Sequence, residues 1–289
     1  MTDKGNPTHS SSGRVDILYQ DELACALALA EWVVREMTEN ADAPSASTVA
    51  SSLQTKSEPS DWVTAMDEYV ERYVRQTLHK RFPKAQVCGE EGGQSGSTDA
   101  SAIWYVDPID GTCNYRFGLP WHSFSLALVE AGRPVVAVIA DTARHEIFHA
   151  VRGGGMACNG RPCVSPVHAE SAYPLWRGGV VLSELANHRW WPGLDKIAKW
   201  CEEEFTTLRV FGSSALDLAH VAAGRAAGCA LHFANPIDTA AGILLLQEAG
   251  AMVLDGDGRF VEQDLPTTAI FAGWHGTAQA LWEIGGASR

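Results

Sequence analysis

The chain has 289 residues, of which 46% are hydrophobic and 20% charged, a composition typical of a globular protein with a sizeable core. Acidic residues outnumber basic ones by 35 to 22 and give a formal net charge of −13 at pH 7. Such an excess argues against a nucleic-acid polymer or an anionic membrane as partner, because both attract basic surfaces. It suits a chain that gathers carboxylates around metal cations.

The cysteines and the N-terminus indicate where the protein works. The seven cysteines are odd in number, and none lies in a CxxC or CxxH arrangement. We therefore expect reduced thiols in a cytoplasmic protein, and neither a disulfide framework nor a zinc site. No apolar run reaches the length of a membrane-spanning helix. Residues 1–14 lack the apolar core of a signal peptide and are predicted to form a disordered tail.

Two amphipathic helices are predicted in the first part of the chain. Apolar residues recur at helical spacing over residues 17–38, and a second helix is predicted to begin with Asp61 as its N-cap. The Ser/Thr-rich segment at residues 39–60 is predicted to be a loop. Asp67 lies at the edge of the second helix's apolar stripe, which suggests a purpose for its carboxylate. The stripe consists of Val63, Met66, Val70, Val74 and Thr77.

Strands are predicted to dominate the middle of the chain. GEEGGQSGSTDAS, residues 89–101, is predicted to be a loop, and short β-rich runs follow it between turn residues. These runs are IWYVD, HSFSLALVE, PVVAVIAD and HEIFHAV. The segment Gly153-Gly154-Gly155 could be taken for a phosphate loop, but no GK[ST] or helix follows it, so a plain hairpin is favoured.

The last third of the chain alternates between helices and strands. A helix is predicted at about residues 189–204, followed by the strand TLRVF, the segment GSSALDLAHVAAG, the strand CALHF and the apolar helix IDTAAGILLLQEAG. AMVLD, TAIFAG and a terminal helix complete the chain. Clustered strands followed by alternation predict an α/β (α+β) protein with two sheets in layers.

Five acidic residues stand out: Asp67, Glu90, Asp107, Asp110 and Asp238. Each has an ordinary explanation of its own. Asp107 and Asp110 could form an Asx-type turn, for example, and Asp238 could complement the dipole of its helix. As a group they are harder to explain, because burying several carboxylates is unfavourable unless cations compensate their charge. Ligand sets made only of oxygen favour hard ions, above all Mg²⁺.

The segment DPIDGT, residues 107–112, adds a site for an anion. Its Gly-Thr pair offers backbone N–H groups where a short helix begins, and a metal cluster beside such a site is suited to phosphate ester chemistry. Haloacid-dehalogenase phosphatases carry a similar D-x-D-G-T run whose first Asp is the nucleophile. Here the two acids are three residues apart and need a turn between them to point the same way. Water, and not an aspartate, is therefore expected to attack.

Five motifs follow one another along the chain. They are D-W-V-T-A-M-D at 61–67, G-E-E at 89–91, W-Y-V-D-P-I-D-G-T-C-N at 104–114, G-S…G-R at 212–225 and D-T-A-A-G…E-A-G at 238–250. In this order they resemble the motifs of the inositol monophosphatase family, and the resemblance covers nearly the whole chain after the N-terminal tail.

The resemblance implies an α/β/α/β/α layered sandwich of the inositol monophosphatase and fructose-1,6-bisphosphatase type. It implies a single catalytic domain at residues 15–289, with sub-layers at about 15–165 and 166–289. It also implies a Mg²⁺-dependent, Li⁺-sensitive phosphomonoesterase, commonly a homodimer, that acts on a small phosphorylated metabolite such as inositol 1-phosphate. Two or three Mg²⁺ ions would bind at each active site.

The metal ligands can be carried over position by position. By resemblance, Glu90, Asp107 and the carbonyl oxygen of Ile109 would bind one Mg²⁺. Asp107, Asp110 and Asp238 would bind a second.

The remaining roles concern the attacking water and the phosphate. By resemblance, Asp67 and Thr112 would orient the water, with Asp67 acting through a further, weaker metal, and Glu90 would share in catalysis as a ligand. The turn formed by Asp110, Gly111 and Thr112 would receive the phosphate.

The chain departs from the family on the substrate side. Leu231 stands where inositol-specific members have a Glu that binds a ring hydroxyl, so the pocket around Leu231 and His232 is expected to be less polar. Other hydroxyl-binding groups, for example Ser214, could have replaced it. The alternatives to an inositol-like polyol or sugar phosphate are histidinol phosphate, a nucleotide or nucleoside phosphate, and a phosphorylated biosynthetic intermediate. A non-catalytic scaffold of the same fold is less favoured, because none of the five acids is missing.

Overall fold

Helices and strands alternate along the chain much as the sequence predicts. The computed structural model describes residues 18–39, 64–97, 99–163, 176–185, 191–274 and 276–286, and the backbone alone of 54–55 and 62–63. The predicted tail at 1–14, Asp61 and most of the predicted loop at 39–60 lie outside these ranges. Within them the α-helices are α1 (Gln20–Glu39), α2 (Ala65–Arg81), α3 (Thr112–Arg116), α4 (Pro192–Glu203), α5 (Ser214–Ala222), α6 (Pro236–Ala249) and α7 (Thr277–Leu281), and a π-helical turn follows at Trp282–Gly286.

The strands fall into a short ribbon and two large sheets. The ribbon pairs β1 (Gln54–Thr55) with β2 (Trp62–Val63). The first sheet is built from β3 (Gln86–Gly89), β4 (Gly93–Ser95), β5 (Ala102–Asp110), β6 (Ser123–Glu130), β7 (Arg133–Asp141), β8 (Glu146–Val151), β9 (Met156–Cys158) and β10 (Arg161–Pro162). The second is built from β11 (Val180–Ser183), β12 (Thr207–Val210), β13 (Gly228–Leu231), β14 (Met252–Asp255) and β15 (Ile270–Gly273).

Both large sheets are mixed. The eight-stranded sheet has the order β10-β9-β8-β7-β6-β5-β3-β4 and is antiparallel except where β3 pairs with β5. The five-stranded sheet has the order β12-β11-β13-β15-β14. Its strands β12, β11 and β13 run parallel to one another, because helices connect them, whereas β13, β15 and β14 are antiparallel neighbours.

The helices form three layers around the two sheets. Helices α1 and α2 pack on one face of the eight-stranded sheet around a core that includes Val33, Val74 and Phe124. Helices α5 and α6 fill the space between the two sheets, and α4 and α7 cover the outer face of the five-stranded sheet. The order of layers is therefore α/β/α/β/α, which confirms the predicted fold class. The limits of the single catalytic domain stay a prediction.

The central part of helix α6 is buried because it lies between two sheets. Every residue from Thr239 to Leu246 is buried, so this part of the helix has no face in water. Its central Gly242 permits close packing on α5, since a Cβ there would lie 2.4 Å from the Cβ of Leu218. No helix in the described ranges is both long and apolar enough to cross a membrane.

The start of α2 differs from the prediction. The N-cap is Thr64, whose hydroxyl accepts from the N–H groups of Met66 and Asp67, and the Asp67 carboxylate accepts from the Thr64 N–H in return. The expectation that Asp61 caps this helix was wrong, because Val63 and its neighbour are still in the extended strand β2. The Thr-x-x-Asp reciprocal cap supplies the stronger start signal.

The buried face of α2 also differs from the predicted stripe. Val70 and Val74 are fully buried as expected, but Leu78, and not the half-buried Thr77, continues the face. The same face buries two acids, Asp67 and Glu71. A helix that turns two carboxylates inward has to provide them with partners, and both have functions in the site described below.

Two glycine-rich segments have clear structural roles. The predicted loop at 89–101 contains the short strand β4, which its Gly-Gln-Ser composition conceals because these residues have low β-propensity. The hairpin predicted at Gly153-Gly154-Gly155 is confirmed, since it connects the antiparallel strands β8 and β9. The N–H groups of Gly153 and Gly155 donate to the two carboxylate oxygens of Glu248 at 2.8 and 2.9 Å, so the chain's own acid occupies them.

Candidate active site

A β-bulge turns two acids of β5 to the same side of the sheet. In the pairing of β5 with β6, Asp107 lies opposite Ser125 and Asp110 lies opposite Ser123, so three steps on one strand match two on the other. Residues two apart on β6 share a face, and their partners therefore share it too. The turn that the three-residue spacing requires is this bulge. The side chain of Asp107 accepts from the Ile109 N–H at 3.0 Å within it.

Asp107 lies close enough to the other four predicted acids for their charges to act on it. Its carboxyl group is 2% exposed, and burial raises its pKa well above the usual range. Glu90, Asp110, Asp238 and Asp67 each raise the pKa further by their negative charge, in that order. Residues from α2, the β3–β4 segment, β5 and α6 are thus brought near one another although they are up to 171 positions apart in the chain.

Asp110 is held by the start of α5. The Ser213 hydroxyl, which caps α5, donates to Asp110 Oδ2 at 2.5 Å, and the Ala215 N–H donates to the same oxygen at 2.8 Å. Burial raises the pKa of Asp110 to about 6 even though these hydrogen bonds oppose the shift. The G-S motif of the sequence therefore marks the helix start whose hydrogen bonds fix the Asp110 side chain.

Asp67 and Thr112 form the predicted pair. The Thr112 hydroxyl lies 3.3 Å from Asp67 Oδ1 and donates to the carbonyl oxygen of Ile109 at 2.9 Å. The other oxygen of Asp67 accepts from the N–H and the hydroxyl of Thr64 at 2.9 and 2.5 Å. One carboxylate oxygen is thus fixed by the helix cap, and the second faces Thr112.

The turn at Gly111 can be formed only by glycine. Gly111 has φ +86°, and a Cβ there would lie 3.0 Å from the carbonyl oxygen of Trp121 and 3.1 Å from that of Gly212. The Asn114 side-chain amide joins the two facing loops, since it donates to the carbonyl oxygens of Trp121 at 2.7 Å and Phe211 at 2.6 Å. The first helical turn of α3 is therefore clamped against the loop that precedes α5.

Glu71 is a residue of the site that the sequence did not reveal. It is buried, and its carboxylate accepts from the N–H groups of Glu91 at 2.6 Å and Gly92 at 2.8 Å and from the Arg75 guanidinium at 2.5 Å. These bonds hold the segment that carries Glu90. The available signal was its spacing, one helical turn after Asp67 on the same buried face.

The predicted substrate-pocket residues have different surroundings. Leu231 has no exposed surface and packs in the core between the sheets, so we do not count it among residues that could touch a substrate. The His232 ring stacks on Trp191 at 5.2 Å between ring centroids, and burial lowers its pKa. The Ser214 hydroxyl donates to Oε2 of Glu184, an acid that the sequence analysis did not single out.

Two further acids lie next to Asp110. Burial raises the pKa of Glu184 to about 7, and the negative charge of Asp110 contributes to the shift. Asp217 is fully buried, and its pKa is raised well above the usual range by burial, Glu184 and Asp110. Nothing in one sequence distinguishes these acids from surface residues, because Glu184 follows directly after a strand and Asp217 lies in the first turn of α5, where an acid is ordinary.

The donor set suits a hard divalent cation. All five side chains are carboxylates, and burial together with neighbouring negative charges raises the pKa of Asp107 and that of Asp110. Within the described ranges, however, no group of three or more His, Cys, Asp or Glu side chains is arranged to hold a metal ion.

Comparison with known proteins gives consistent matches over most of the chain. The model of the inositol monophosphatase family matches residues 19–284. An inositol-1-monophosphatase of Rhizobium meliloti is 35% identical over 227 residues, which cover 78% of this chain and 83% of that protein. A protein called Nus factor SuhB from Xylella fastidiosa is 34% identical over 229 residues, 78% of this chain and 81% of its own. The crystal structure of the extragenic suppressor protein suhB from Bartonella henselae matches with a TM-score of 0.79 at 28% identity, covering 93% of this chain and 100% of that one.

Proposed function

Because the chain belongs to the inositol monophosphatase family, we propose that it is a Mg²⁺-dependent phosphomonoesterase that releases inorganic phosphate from a small phosphorylated polyol or sugar. The observation that carries this proposal is the convergence of four acids on the buried Asp107. A protein that used the fold only as a scaffold would gain nothing from burying this charge, which is unfavourable without a cation.

The chain's own carboxylates would hold the metal ions. Glu90, Asp107 and the Ile109 carbonyl oxygen would bind one Mg²⁺, and Asp107, Asp110 and Asp238 would bind a second. Bound Mg²⁺ lowers the pKa of water, screens the charge of the phosphate and stabilises the leaving alkoxide. Asp107 would serve both ions, and its carboxylate is held in place by the hydrogen bond from the Ile109 N–H within the bulge.

Asp67 and Thr112 would orient the attacking water. Oδ2 of Asp67 is engaged by Thr64, so Oδ1, which faces Thr112, is the oxygen placed to accept a hydrogen bond from water. The Thr112 hydroxyl donates to the Ile109 carbonyl, which leaves its lone pairs to accept from the same water. The N–H groups of Gly111 and Thr112 would bind the phosphate oxygens, since they lie at the start of α3 in the clamped turn.

The substrate is proposed at the level of a small phosphorylated metabolite. Histidinol phosphate, a nucleotide and a phosphorylated biosynthetic intermediate are the alternatives, since they fit the same chemistry. A non-catalytic scaffold role is a further candidate, because some relatives are called Nus factor SuhB, although all five acids are present in this chain. The net charge of −13 disfavours direct contact with a nucleic-acid polymer. As in the family resemblance, we expect a homodimer, which light scattering can measure.

Phosphate release from a panel of monoesters tests the proposal. The panel contains inositol 1-phosphate, fructose 1,6-bisphosphate, histidinol phosphate, AMP and 3′-phosphoadenosine 5′-phosphate, each with Mg²⁺ and with a chelator. We expect release that depends on Mg²⁺ and favours one ester. If folded protein releases no phosphate from any of them with Mg²⁺, the scaffold role becomes the better explanation.

Replacing Glu71 should weaken Mg²⁺ binding, although Glu71 is not itself one of the proposed metal ligands. Glu71→Ala removes the carboxylate that holds the Glu91 and Gly92 N–H groups, so the segment with Glu90 loses its anchor. We expect the Mg²⁺ concentration for half-maximal activity to rise about tenfold to hundredfold, as is typical when a residue that orients a metal ligand is lost. Glu68→Ala, an exposed position on the same helix, is the control. An unchanged Mg²⁺ requirement would show that Glu71 only stabilises the fold.

A further inference from the structure

The register of two parallel strands places a second acid beside Leu231. Strands β11 and β13 are paired with Ser183 opposite Ala230, and the Ser183 hydroxyl donates to the Ala230 carbonyl oxygen at 2.7 Å. Glu184 follows Ser183 at the end of β11, and Leu231, the last residue of β13, follows Ala230, so the two residues occupy the next position of the same register. Neighbouring residues in register on adjacent strands point to the same face. Glu184 therefore faces the same layer of helices as Leu231.

We propose that Glu184 is a specificity-determining residue that accepts a hydrogen bond from a second hydroxyl group of the leaving alcohol. This inference rests on the proposed phosphatase function and narrows its substrate to esters whose alcohol carries a hydroxyl near the phosphate. It also revises the expectation that the pocket is apolar, because the acid absent at position 231 is present on the next strand.

The position of Glu184 connects it to the phosphate end of the site. Its Oε2 accepts from Ser214, the residue between the two that hold Asp110, Ser213 and Ala215. The carboxyl group of Glu184 is thus hydrogen-bonded to the first residue of α5, and the negative charge of Asp110 acts on it. An alcohol attached to a phosphate at Asp110-Gly111-Thr112 would have its neighbouring hydroxyl within this region.

Glu184 is suitable for touching a substrate, whereas the acid next to it is not. Glu184 is 8% exposed, and a carboxylate with one hydrogen bond from Ser214 can accept several more. Asp217 has no exposed surface, and neither of its carboxylate oxygens has a hydrogen-bond partner among the described residues. Asp217 can support the wall of the pocket but cannot contact a ligand.

The test compares two esters with the same six-membered ring. Inositol 1-phosphate carries hydroxyls around the ring and cyclohexyl phosphate carries none, so the ratio of their kcat/KM values isolates hydroxyl recognition. We expect the wild-type protein to favour inositol 1-phosphate, and Glu184→Ala to lower the ratio by on the order of ten- to hundredfold, the usual effect of losing a charged hydrogen-bond acceptor. Glu203→Ala, an exposed glutamate at the end of α4, should keep the wild-type ratio.

Further measurements separate this role from a merely structural one. Glu184→Gln keeps the size of the side chain and an amide oxygen, so it should recover part of the ratio, and its melting temperature shows whether the fold is intact. A ratio that is the same in Glu184→Ala and in the wild type would overturn the proposal. A third ester, 2-aminoethyl phosphate, carries an ammonium group in place of hydroxyls. If Glu184→Ala lowered kcat/KM for this ester alone, Glu184 would recognise an ammonium group and the proposal would be wrong.

A binding measurement tests the role of Glu184 even if the protein proves not to be a phosphatase. Absence of phosphate release from both ring esters would contradict the phosphatase function, and calorimetry with myo-inositol and inorganic phosphate would then decide about Glu184. We expect inositol to bind the wild type and to bind Glu184→Ala at least tenfold more weakly. If the wild-type protein does not bind inositol or binds cyclohexanol equally well, the proposal is wrong.

Discussion

Asp107→Asn should lower kcat by about a thousandfold and, in the absence of metal, make the folded protein more stable. Asp107 is the shared ligand of both proposed metal positions, and the neutral amide of asparagine would bind neither ion well. The loss in stabilisation of the transition state follows from the loss of the ions. The gain in stability follows from removing a buried negative charge that Glu90, Asp110, Asp238 and Asp67 oppose.

The stability effect has a definite dependence on pH. Burial and neighbouring acids raise the pKa of Asp107 in the folded state above its value of about 3.9 in an unfolded chain. The folded state therefore binds this proton more tightly, and the free energy of unfolding falls as the pH rises from the unfolded value through the folded one. Asparagine does not titrate, so the variant should lose this part of the pH dependence.

Melting temperatures measured with a chelator between pH 5 and pH 8 test this expectation. The wild-type value should fall with pH more steeply than that of Asp107→Asn, and added Mg²⁺ should raise the wild-type value but hardly that of the variant. Asp99→Asn, an exposed aspartate, is the matched control. A variant that keeps wild-type kcat would exclude Asp107 as a metal ligand.

Gly111→Ala should damage both the fold and the activity, for reasons that a second glycine can separate. Alanine at φ +86° is strained by about 1–2 kcal/mol, and its Cβ would lie 3.0 and 3.1 Å from two backbone carbonyl oxygens that Asn114 clamps. Relief requires the turn to move away from the carbonyls, and if this turn binds phosphate as proposed, we expect the displacement to lower kcat/KM by about a hundredfold.

Gly118→Ala is the control for this substitution. Gly118 has φ +70°, but a Cβ added there would meet no atom within 4 Å, so the variant carries the conformational strain without the contacts. Denaturant unfolding and inhibition by inorganic phosphate should be measured for both variants. We expect a larger loss of stability and a weaker phosphate inhibition only in Gly111→Ala. Equal effects would mean that the contacts at Gly111 have no role.

Much of the architecture could be predicted from the chain alone. Spacing of apolar residues predicted the alternation of helices and strands, and the composition of the segment at 237–250 indicated a helix buried on several sides, which is the helix found between the two sheets. Local chemistry was harder to predict. The cap of α2 was assigned to Asp61, because a good capping residue was visible there, whereas the reciprocal bonds of Thr64 and Asp67 depend on where the ribbon β1–β2 ends.

The candidate site could be predicted only as far as motifs reach. The five acids lie in motifs, and four of them are close enough to raise the pKa of the fifth, Asp107. Glu71, Glu184 and Asp217 lie in no motif and owe their positions to contacts between distant elements. Leu231 shows the converse. Its place in a motif suggested a pocket residue, while the pairing of β13 between two strands turns its side chain into the core. Register, which a single sequence does not state, decides both cases.

The bulge between Asp107 and Asp110 has a consequence for how such a gene can change. An extra residue on one strand is added or removed only by the gain or loss of a whole codon, and no series of base substitutions leads through intermediate states. The spacing of these acids is therefore an all-or-none trait during evolution. The residues around the leaving group, by contrast, can be exchanged one at a time by base substitutions. Descendants of one ancestor can therefore differ in substrate specificity while the proposed reaction stays the same.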